Sequence, residues 1–393
     1  MLREGDDLVF TWESLSAQVT VSDITSGRDG PRAEVRARHL IAGHLHAAML
    51  NFLSTSSKST FIKAVLARDP QNNWADLVEQ FSVMATEVHR EGEPLEVLEP
   101  RRLPEAGRFA VDPIVPLRQV TGLLGDGKTL KSYTAAASCR AMMLGVPFAS
   151  MPTTKLVPAY LDWEWDKEEH EDRLLRLGGD VAFFYRRCTV PLQEQAKAIK
   201  RELDRNGIEF IVIDSLGLAC GGDPSKPEIA LGMFSAIRYL DRPAAIIHHT
   251  PKGRPAESFG SAYIRNSLRS AWFFLRSASP EERTATVALQ HAWTNTGRMQ
   301  RSIGLEFTFD DEAYTTTVRR TDPRPILQLA GGMTKKNAII AFLEGAPGAE
   351  VQDIATALGE DAGKVSVHLS QLKKQGRVSN QQRQWALCSE RET

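Results

Sequence analysis

Residues 119–133 read QVTGLLGDGKTLKSY, and the organisation of the rest of the chain follows from this stretch. It is apolar from Val120 to Leu124, passes through a glycine turn and then enters an alanine-rich run after Ser132. This order predicts a strand, a phosphate-binding loop and a helix. Such a loop offers backbone N–H groups and a lysine to phosphate oxygens and a hydroxyl to Mg²⁺, and the positive end of the following helix faces the same anion.

The phosphate loop can be read in two registers. The pattern GxxxxGK[ST] matches Gly122–Thr129 letter for letter, whereas a second register runs over Gly125–Ser132 with Leu130 in place of the last glycine. We prefer the second, because the apolar run extends to Leu124 and because Tyr133–Leu144 reads as one uninterrupted helix. A chance match in a glycine-rich turn is the alternative. The second register predicts a nucleotide-binding loop of Gly125, Asp126, Gly127, Lys128, Thr129, Leu130, Lys131, Ser132 and Tyr133.

The composition is that of a globular protein of several domains. The chain has 393 residues, of which 42% are hydrophobic and 25% charged, and its net charge of −1 excludes a global basic field for nucleic acid. The four cysteines are scattered without a CxxC pair, which argues against a metal site or a disulfide framework. No apolar run approaches the ~20 residues needed to cross a bilayer. We therefore expect a cytoplasmic protein without membrane contact.

Residues 1–110 are predicted to form a small α+β domain of unknown role. Alternating apolar positions predict a sheet, helical spacing predicts two helices, and a polar run between them predicts a loop. The segments are strands in Leu8–Trp12, Ala17–Ile24 and Glu34–His39, helices in Phe61–Ala67 and Trp74–His89, and a loop at Ser54–Ser59. We find no catalytic constellation here.

Residues 114–330 are predicted to form an α/β core with a mostly parallel sheet, because strands rich in Val, Ile and Leu alternate with helical stretches. The strand Leu156–Leu161 ends in acids and aromatics, with Glu164 at its edge, and the strand Phe210–Ile213 ends in Asp214. After a phosphate loop, such an aspartate is expected to hold Mg²⁺ together with the hydroxyl of Ser132. Taken alone, Asp214 could equally be a helix cap.

Two later motifs could complete a phosphate site. A strand at Ala244–Ile247 ends in His248 and His249, where an imidazole can sense the γ-phosphate; a metal site is disfavoured because no third ligand follows at a matching spacing. Arg265 and Arg269 lie in SFGSAYIRNSLR. Surface arginines are usually only solvated, but in a ring such residues can reach a neighbour's phosphate.

Residues 333–390 are predicted to form a winged-helix domain, because three helices are followed by two short strands. Its basic side chains form a local positive surface despite the neutral total charge, which favours DNA. A protein-contact module of the same shape is the alternative. The nucleic-acid-binding candidates are Lys364, His368, Lys373, Lys374, Arg377 and Arg383.

The series GDGKTLKS, YLDWEWD, FIVIDSLGLACGGD, IIHHTPKG and SFGSAYIRNSLR resembles the RecA-like AAA ATPases related to plasmid-encoded hexameric replicative helicases. The resemblance covers roughly residues 114–320. It implies ATP and Mg²⁺ as cofactors. The implied roles are Lys131 as the loop lysine, Ser132 and Asp214 as Mg²⁺ ligands, Glu164 as the residue that activates water, His249 as a sensor, and Lys252, Arg265 and Arg269 as candidates for a trans-acting finger.

The resemblance implies an ATP-hydrolysing RecA-fold motor that acts on DNA as a homo-hexamer. The loops Gly217–Glu228 and Pro251–Ser258 are the best candidates for contacts with single-stranded DNA. Leu130 departs from the family pattern and leaves a second hypothesis open. In that hypothesis the protein is a nucleotide-switched DNA-binding regulator or adaptor with slow or no hydrolysis.

Overall fold

A computed structural model describes residues 1–92, 95–100, 108–250, 262–277, 283–295, 298–329, 335–358, 360–381 and 383–388. The chain divides into two compact units, residues 1–102 and 103–393, which are described separately. Among the described residues, no helix has the length and apolarity that a membrane span requires.

The first unit is an antiparallel sheet with two helices. Its strands pair in chain order, and its core combines the inward side chains of the sheet with those of both helices. The elements are β1 (Leu2–Glu4), β2 (Asp7–Trp12), a 3₁₀ turn (Glu13–Leu15), β3 (Ala17–Gly27), β4 (Gly30–His39), β5 (Gly43–Asn51), α1 (Thr55–Leu66) and α2 (Trp74–Glu91).

The loop predicted at Ser54–Ser59 is wrong, because α1 begins at Thr55. The hydroxyl of Ser54 accepts a hydrogen bond from the backbone N–H of Ser57 and caps the helix, and the hydroxyl of Thr60 donates to the carbonyl of Ser56. Serine and threonine favour helix starts for this reason, so a polar run can be a capped first turn rather than a loop.

The second unit contains a nine-stranded sheet in the order β10-β9-β11-β12-β8-β13-β14-β15-β16, and a separate two-stranded pairing of β6 with β7. The strands are β6 (Phe109–Val111), β7 (Val115–Pro116), β8 (Val120–Gly125), β9 (Pro158–Asp162), β10 (Phe184–Arg187), β11 (Phe210–Asp214), β12 (Ala244–His249), β13 (Ser270–Ser277), β14 (Thr284–Thr294), β15 (Ile303–Asp310) and β16 (Thr315–Thr321). The helices between and after them are α3 (Lys131–Leu144), α4 (Lys167–Arg176), α5 (Leu192–Arg205), α6 (Leu216–Ala219), α7 (Pro227–Leu240), α8 (Ala262–Ser267) and α9 (Arg324–Leu329).

The six strands from β10 to β13 in this order are parallel, and β14 to β16 continue the sheet antiparallel. The α/β fold with a large, mostly parallel sheet is therefore confirmed. Separate apolar clusters pack on the two faces of the sheet. The sequence analysis missed β10 and α5. In β10 both Phe184 and Arg187 are exposed, so this edge strand lacks the apolar run that marks its buried neighbours.

The last segment has three helices followed by a hairpin: α10 (Lys335–Gly345), α11 (Val351–Leu358), α12 (Ala362–Lys374), β17 (Val378–Gln381) and β18 (Gln384–Leu387). Val365, Leu369 and Leu372 of α12 are buried in a small core of their own, and Asp361 caps the helix. The winged-helix assignment and the three-domain division stay predictions.

Candidate active site

The phosphate-loop region has a strand that ends at Gly125 and a helix that begins at Lys131. This is the arrangement that the second register requires, whereas Gly122 of the first register lies inside β8. Gly125 has a φ of +149°, and a Cβ there would lie 2.6 Å from the carbonyl oxygen of Phe274. Only glycine fits this position, because the neighbouring strand passes directly against the loop.

Leu130 occupies the left-handed region, with φ 60° and ψ 24°, which explains why a glycine is the usual residue there. Its side chain is partly buried and packs against the apolar cluster that includes residues of α3. Lys128 also has a positive φ, of 66°, and its side chain is exposed. The loop backbone thus has two non-glycine residues at positive φ, a region that L-residues rarely adopt.

Lys131 is 97% buried and folds back over the loop. Its ammonium donates to the carbonyls of Gly125 (2.9 Å) and Asp126 (2.6 Å) and to the hydroxyl of Thr129 (3.0 Å). Burial lowers the pKa of Lys131 to about 8, although the nearby carboxylates of Asp214, Asp126 and Glu164 act in the opposite direction. α3 begins without a side-chain cap, so its first N–H groups can face an anion.

The register of the parallel strands brings the predicted residues to one edge of the sheet. Asp214 at the end of β11 lies opposite Asp162 of β9, and His249 at the end of β12 lies opposite Gly125 of β8. Carboxyl ends of parallel strands form the usual ligand-binding edge of such a sheet. Four segments that are far apart in sequence therefore meet around the phosphate loop.

Asp214 is fully buried, and the hydroxyl of Tyr160 donates to its Oδ2 at 2.7 Å. Burial raises its pKa, while the hydroxyls of Ser132 and Tyr160 act in the opposite direction. Oδ1 of Asp214 has no hydrogen-bond partner among the described residues. A buried carboxylate oxygen without a partner fits a cation ligand, and Ser132 adds the hydroxyl that the predicted Mg²⁺ site needs.

Glu164 lies beside this carboxylate and is held by two side chains. The hydroxyl of Ser215 donates to its Oε1, and Nε2 of His249 lies 3.2 Å from the same oxygen. The hydrogen bond from His249 is the main reason that the pKa of Glu164 is lowered, and Ser215 and Lys131 add to it. Glu164 is thus an oriented carboxylate whose lowered pKa favours the ionised form.

The neighbouring His248 has a different role from His249. Its side chain is buried, and burial lowers its pKa to about 4, so it is neutral near pH 7. His249 is exposed and points to Glu164. The described residues contain no group of three or more His, Cys, Asp or Glu side chains able to hold a metal.

Arg265 and Arg269 do not lie near the phosphate loop of their own chain. The backbone N–H of Arg269 donates to the carbonyl of Val120, at the start of β8, and Arg265 lies over the ring of Trp293 at 5.3 Å. Val120 and Gly125 are the two ends of β8. Because a strand rises about 3.3 Å per residue, Val120 lies roughly 16 Å from Gly125. Lys252 and the loop at residues 251–258 lie outside the described residues.

Another arginine, which the sequence analysis missed, does reach the loop. Arg276 lies at the far end of β13, and its guanidinium donates to the carbonyl of Lys128 at 2.9 Å. It ties the exposed part of the loop to the sheet. β13 pairs in parallel with β8, so the carboxyl end of β13 lies beside the phosphate loop that follows β8. The contact of Arg276 depends on this pairing, which no local sequence pattern reports.

The predicted nucleic-acid-binding residues separate into two groups. Lys364 and His368, one turn apart on α12, line a cavity of about 350 Å³ together with Lys335 and Glu360. Lys373, Lys374, Arg377 and Arg383 are exposed at the end of α12 and on the hairpin. Lys373 is nine residues after Lys364, which corresponds to the opposite side of a helix. The structure therefore does not gather the six residues on one face.

A protein-family model described as an AAA domain matches residues 95–255. The match includes the phosphate loop, Glu164, Asp214 and His249. It supports an AAA-type ATPase core in this segment. Because it covers less than half of the chain, it describes that segment and not the whole protein.

Two other comparisons add little. A KaiC-like protein from the hyperthermophilic archaeon Pyrococcus horikoshii OT3 is similar in structure, with 12% sequence identity and a TM-score of 0.41, over 57% of this chain and 100% of that one. A TM-score of this size does not show that the two chains share a fold. No curated protein matches the sequence.

Proposed function

We propose that this chain binds ATP with Mg²⁺ and hydrolyses it. The observation that carries the proposal is the meeting of a buried lysine, a hydroxyl, a buried aspartate with a free oxygen and an oriented glutamate at one sheet edge. Lys131 would transfer its three hydrogen bonds from the loop to phosphate oxygens. Ser132 and Asp214 would hold the Mg²⁺, which neutralises charge on the phosphates when bound.

Glu164 is the residue that can activate water for attack on the γ-phosphate. Its lowered pKa keeps it ionised near pH 7, so it can accept a hydrogen bond from water and then a proton. Ser215 and His249 occupy Oε1, which leaves the other carboxylate oxygen for the water. The contact between His249 and Glu164 also links the sensor position to the base, so a change at the phosphate can reach both.

We further propose that the protein is a motor on DNA that works as a ring, such as a homo-hexamer. Within one chain, Arg265 and Arg269 lie at the sheet edge opposite the phosphate loop. They could therefore contact a phosphate only in the site of a neighbouring subunit, as a ring would allow. The exposed Lys373, Lys374, Arg377 and Arg383 supply positive charge for a DNA backbone.

The second candidate function is a nucleotide-operated switch that binds DNA with slow or no turnover. Leu130 favours it, because glycine is the usual residue at this position and a left-handed leucine costs roughly 1–2 kcal/mol. In the switch, ATP would set assembly and the C-terminal segment would bind DNA.

One assay separates the two functions: ATP turnover by the full chain, with and without single-stranded DNA. We expect turnover that DNA stimulates. Tight Mg·ATP binding without turnover would favour the switch over the motor. If calorimetry shows no heat of association with Mg·ATP, both functions are excluded. Size measurement with and without nucleotide tests the ring.

A further inference from the structure

A buried acid–base pair lies directly behind Glu164. Asp162 is fully buried and His170 is 97% buried, and Oδ2 of Asp162 is 2.5 Å from Nε2 of His170. Asp162 ends β9, and His170 lies in the first half of α4, so the pair joins the strand to the helix across the turn that carries Glu164.

The other oxygen of Asp162 holds the backbone of that turn. Its Oδ1 accepts hydrogen bonds from the N–H of Glu164 (2.7 Å) and of Trp165 (3.0 Å). Two backbone donors on one oxygen fix the direction in which the Cα–Cβ bond of Glu164 leaves the chain. That direction decides whether the carboxylate reaches Ser215 and His249.

The same scaffold extends to the predicted Mg²⁺ ligand. The ring of Tyr160 lies 4.4 Å from the ring of His170, and its hydroxyl donates to Asp214. The N–H of Trp163 donates to the carbonyl of Asp214 at 2.6 Å. Glu164 and Asp214 are therefore positioned by one connected set of buried groups.

A buried ionisable pair is a poor device for stability alone, because apolar residues of similar size often do as well or better. Its value at this place is geometric, since it fixes a turn that bears a functional carboxylate.

We propose that Asp162 and His170 are positioning residues that hold Glu164 against Ser215 and His249 and so set its distance from the attacking water. The inference rests on the proposed hydrolysis. Neither residue would touch the nucleotide, so their loss should lower kcat and leave nucleotide affinity unchanged.

The first test compares Asp162→Ala with Asp162→Asn. We expect Asp162→Ala to lower kcat by about 10- to 100-fold, the size of effect that a misplacement near 1 Å produces. Asparagine keeps an oxygen for the two N–H groups, and its amide can donate to His170, so kcat should stay within about threefold of wild type. The dissociation constant of a non-hydrolysable ATP analogue with Mg²⁺ should not change in either variant.

The matched control is Asp69→Ala in the first unit. Asp69 is also a buried aspartate, and it accepts hydrogen bonds from the indole of Trp74 (3.0 Å) and the amide of Asn72 (2.8 Å). The variant Asp69→Ala should unfold more easily than wild type but keep the wild-type kcat. Equal losses of kcat in Asp69→Ala and Asp162→Ala would show a general effect of destabilisation and overturn the proposal.

The second test repeats Asp162→Ala and His170→Leu in a Glu164→Gln background. If the pair acts through Glu164, these changes add no further loss there. Additive losses would overturn the proposal while leaving ATP hydrolysis itself established.

The third test does not need turnover. Hydrogen exchange of the free, full-length chain should be faster at the amides of Glu164 and Trp165 in Asp162→Ala than in wild type or Asp162→Asn. Unchanged exchange would overturn the positioning role. A wild-type chain without turnover would instead contradict the proposed function, and the exchange result would still decide the positioning.

Discussion

The sheet of the first unit and the parallel half of the core sheet are built in opposite ways. In the first, β1 to β5 pair in chain order, and inward and outward side chains alternate along β4. In the second, chain order is permuted, and β9 and β11 are buried at every position up to Asp162 and Asp214. The first arrangement produces a packed layer. The second collects polar groups from distant segments at one edge, where a ligand can use them.

Left-handed backbone and an unpaired buried oxygen coincide at one edge of the core sheet, although positive φ values also occur in the first unit, at Ser16 and Asp23. The left-handed Lys128 and Leu130 and the free oxygen of Asp214 are all at the carboxyl edge of the parallel strands. Such features are typical of functional sites. If this edge is the active site, substitutions there should change chemistry, and substitutions in the first unit should change only stability.

The largest expected effect is on turnover. Glu164→Gln removes the base but keeps the shape, so kcat should fall about 10²- to 10⁴-fold while nucleotide affinity stays near wild type. Steady-state ATPase rates and calorimetry measure the two quantities. Phe61→Ala is the control from the first unit; it should destabilise by about 3–5 kcal/mol in denaturant unfolding without changing kcat per folded molecule. A fall in kcat per folded molecule of Phe61→Ala would contradict the expected difference between the two regions.

The next effect is on binding. Lys131→Ala should weaken Mg·ATP binding by about 100-fold, because a charge-assisted hydrogen bond to phosphate contributes roughly 1.5–3 kcal/mol. Lys128→Ala should weaken it by no more than about tenfold, since that side chain is exposed and makes a more screened contact. Calorimetry on both variants decides between the two registers. The reverse ranking would favour the register over Gly122–Thr129.

The third effect is on the pH dependence of binding. With a pKa of about 8, Lys131 is charged below pH 8 in the free protein and increasingly neutral above it. Phosphate needs the ammonium form, so binding above pH 8 must take up a proton. We expect constant affinity from pH 6.5 to 7.5 and a fall approaching about tenfold per unit above pH 8. Calorimetry in buffers of different ionisation enthalpy should show the proton uptake, and Lys131→Arg should remove it.

The smallest effect is on the loop itself. Leu130→Gly relieves a left-handed conformation worth roughly 1–2 kcal/mol, but it loses the packing of the leucine and adds flexibility in the unfolded chain. The net change in unfolding free energy should be within about 1 kcal/mol. A rise in kcat with little change in stability would favour the motor. If turnover stays slow in Leu130→Gly, the switch is favoured, and Leu130 is not what limits kcat.

Several features followed directly from the sequence. The strand, loop and helix around Gly125 and Lys131 were predictable because apolar runs, glycine turns and alanine-rich stretches report local conformation. Asp214 and His249 were recognisable because each lies at the end of a short, buried apolar strand. β10 was missed because an edge strand carries polar and exposed residues. The helix α1 begins earlier than predicted because its first turn, Thr55–Lys58, is polar and resembles a loop in the sequence.

The tertiary structure alone decided which of these groups meet. Ser215 and His249 lie 51 and 85 residues after Glu164, and Arg276 lies 148 residues after Lys128. No local pattern can report such contacts, because parallel strands are joined by crossovers and their order in the sheet differs from their order in the chain. The sequence determined the types of residue at the strand ends. The packing of the sheet determined that one glutamate, one aspartate and one lysine share an edge, and that Asp162 and His170 lie behind them.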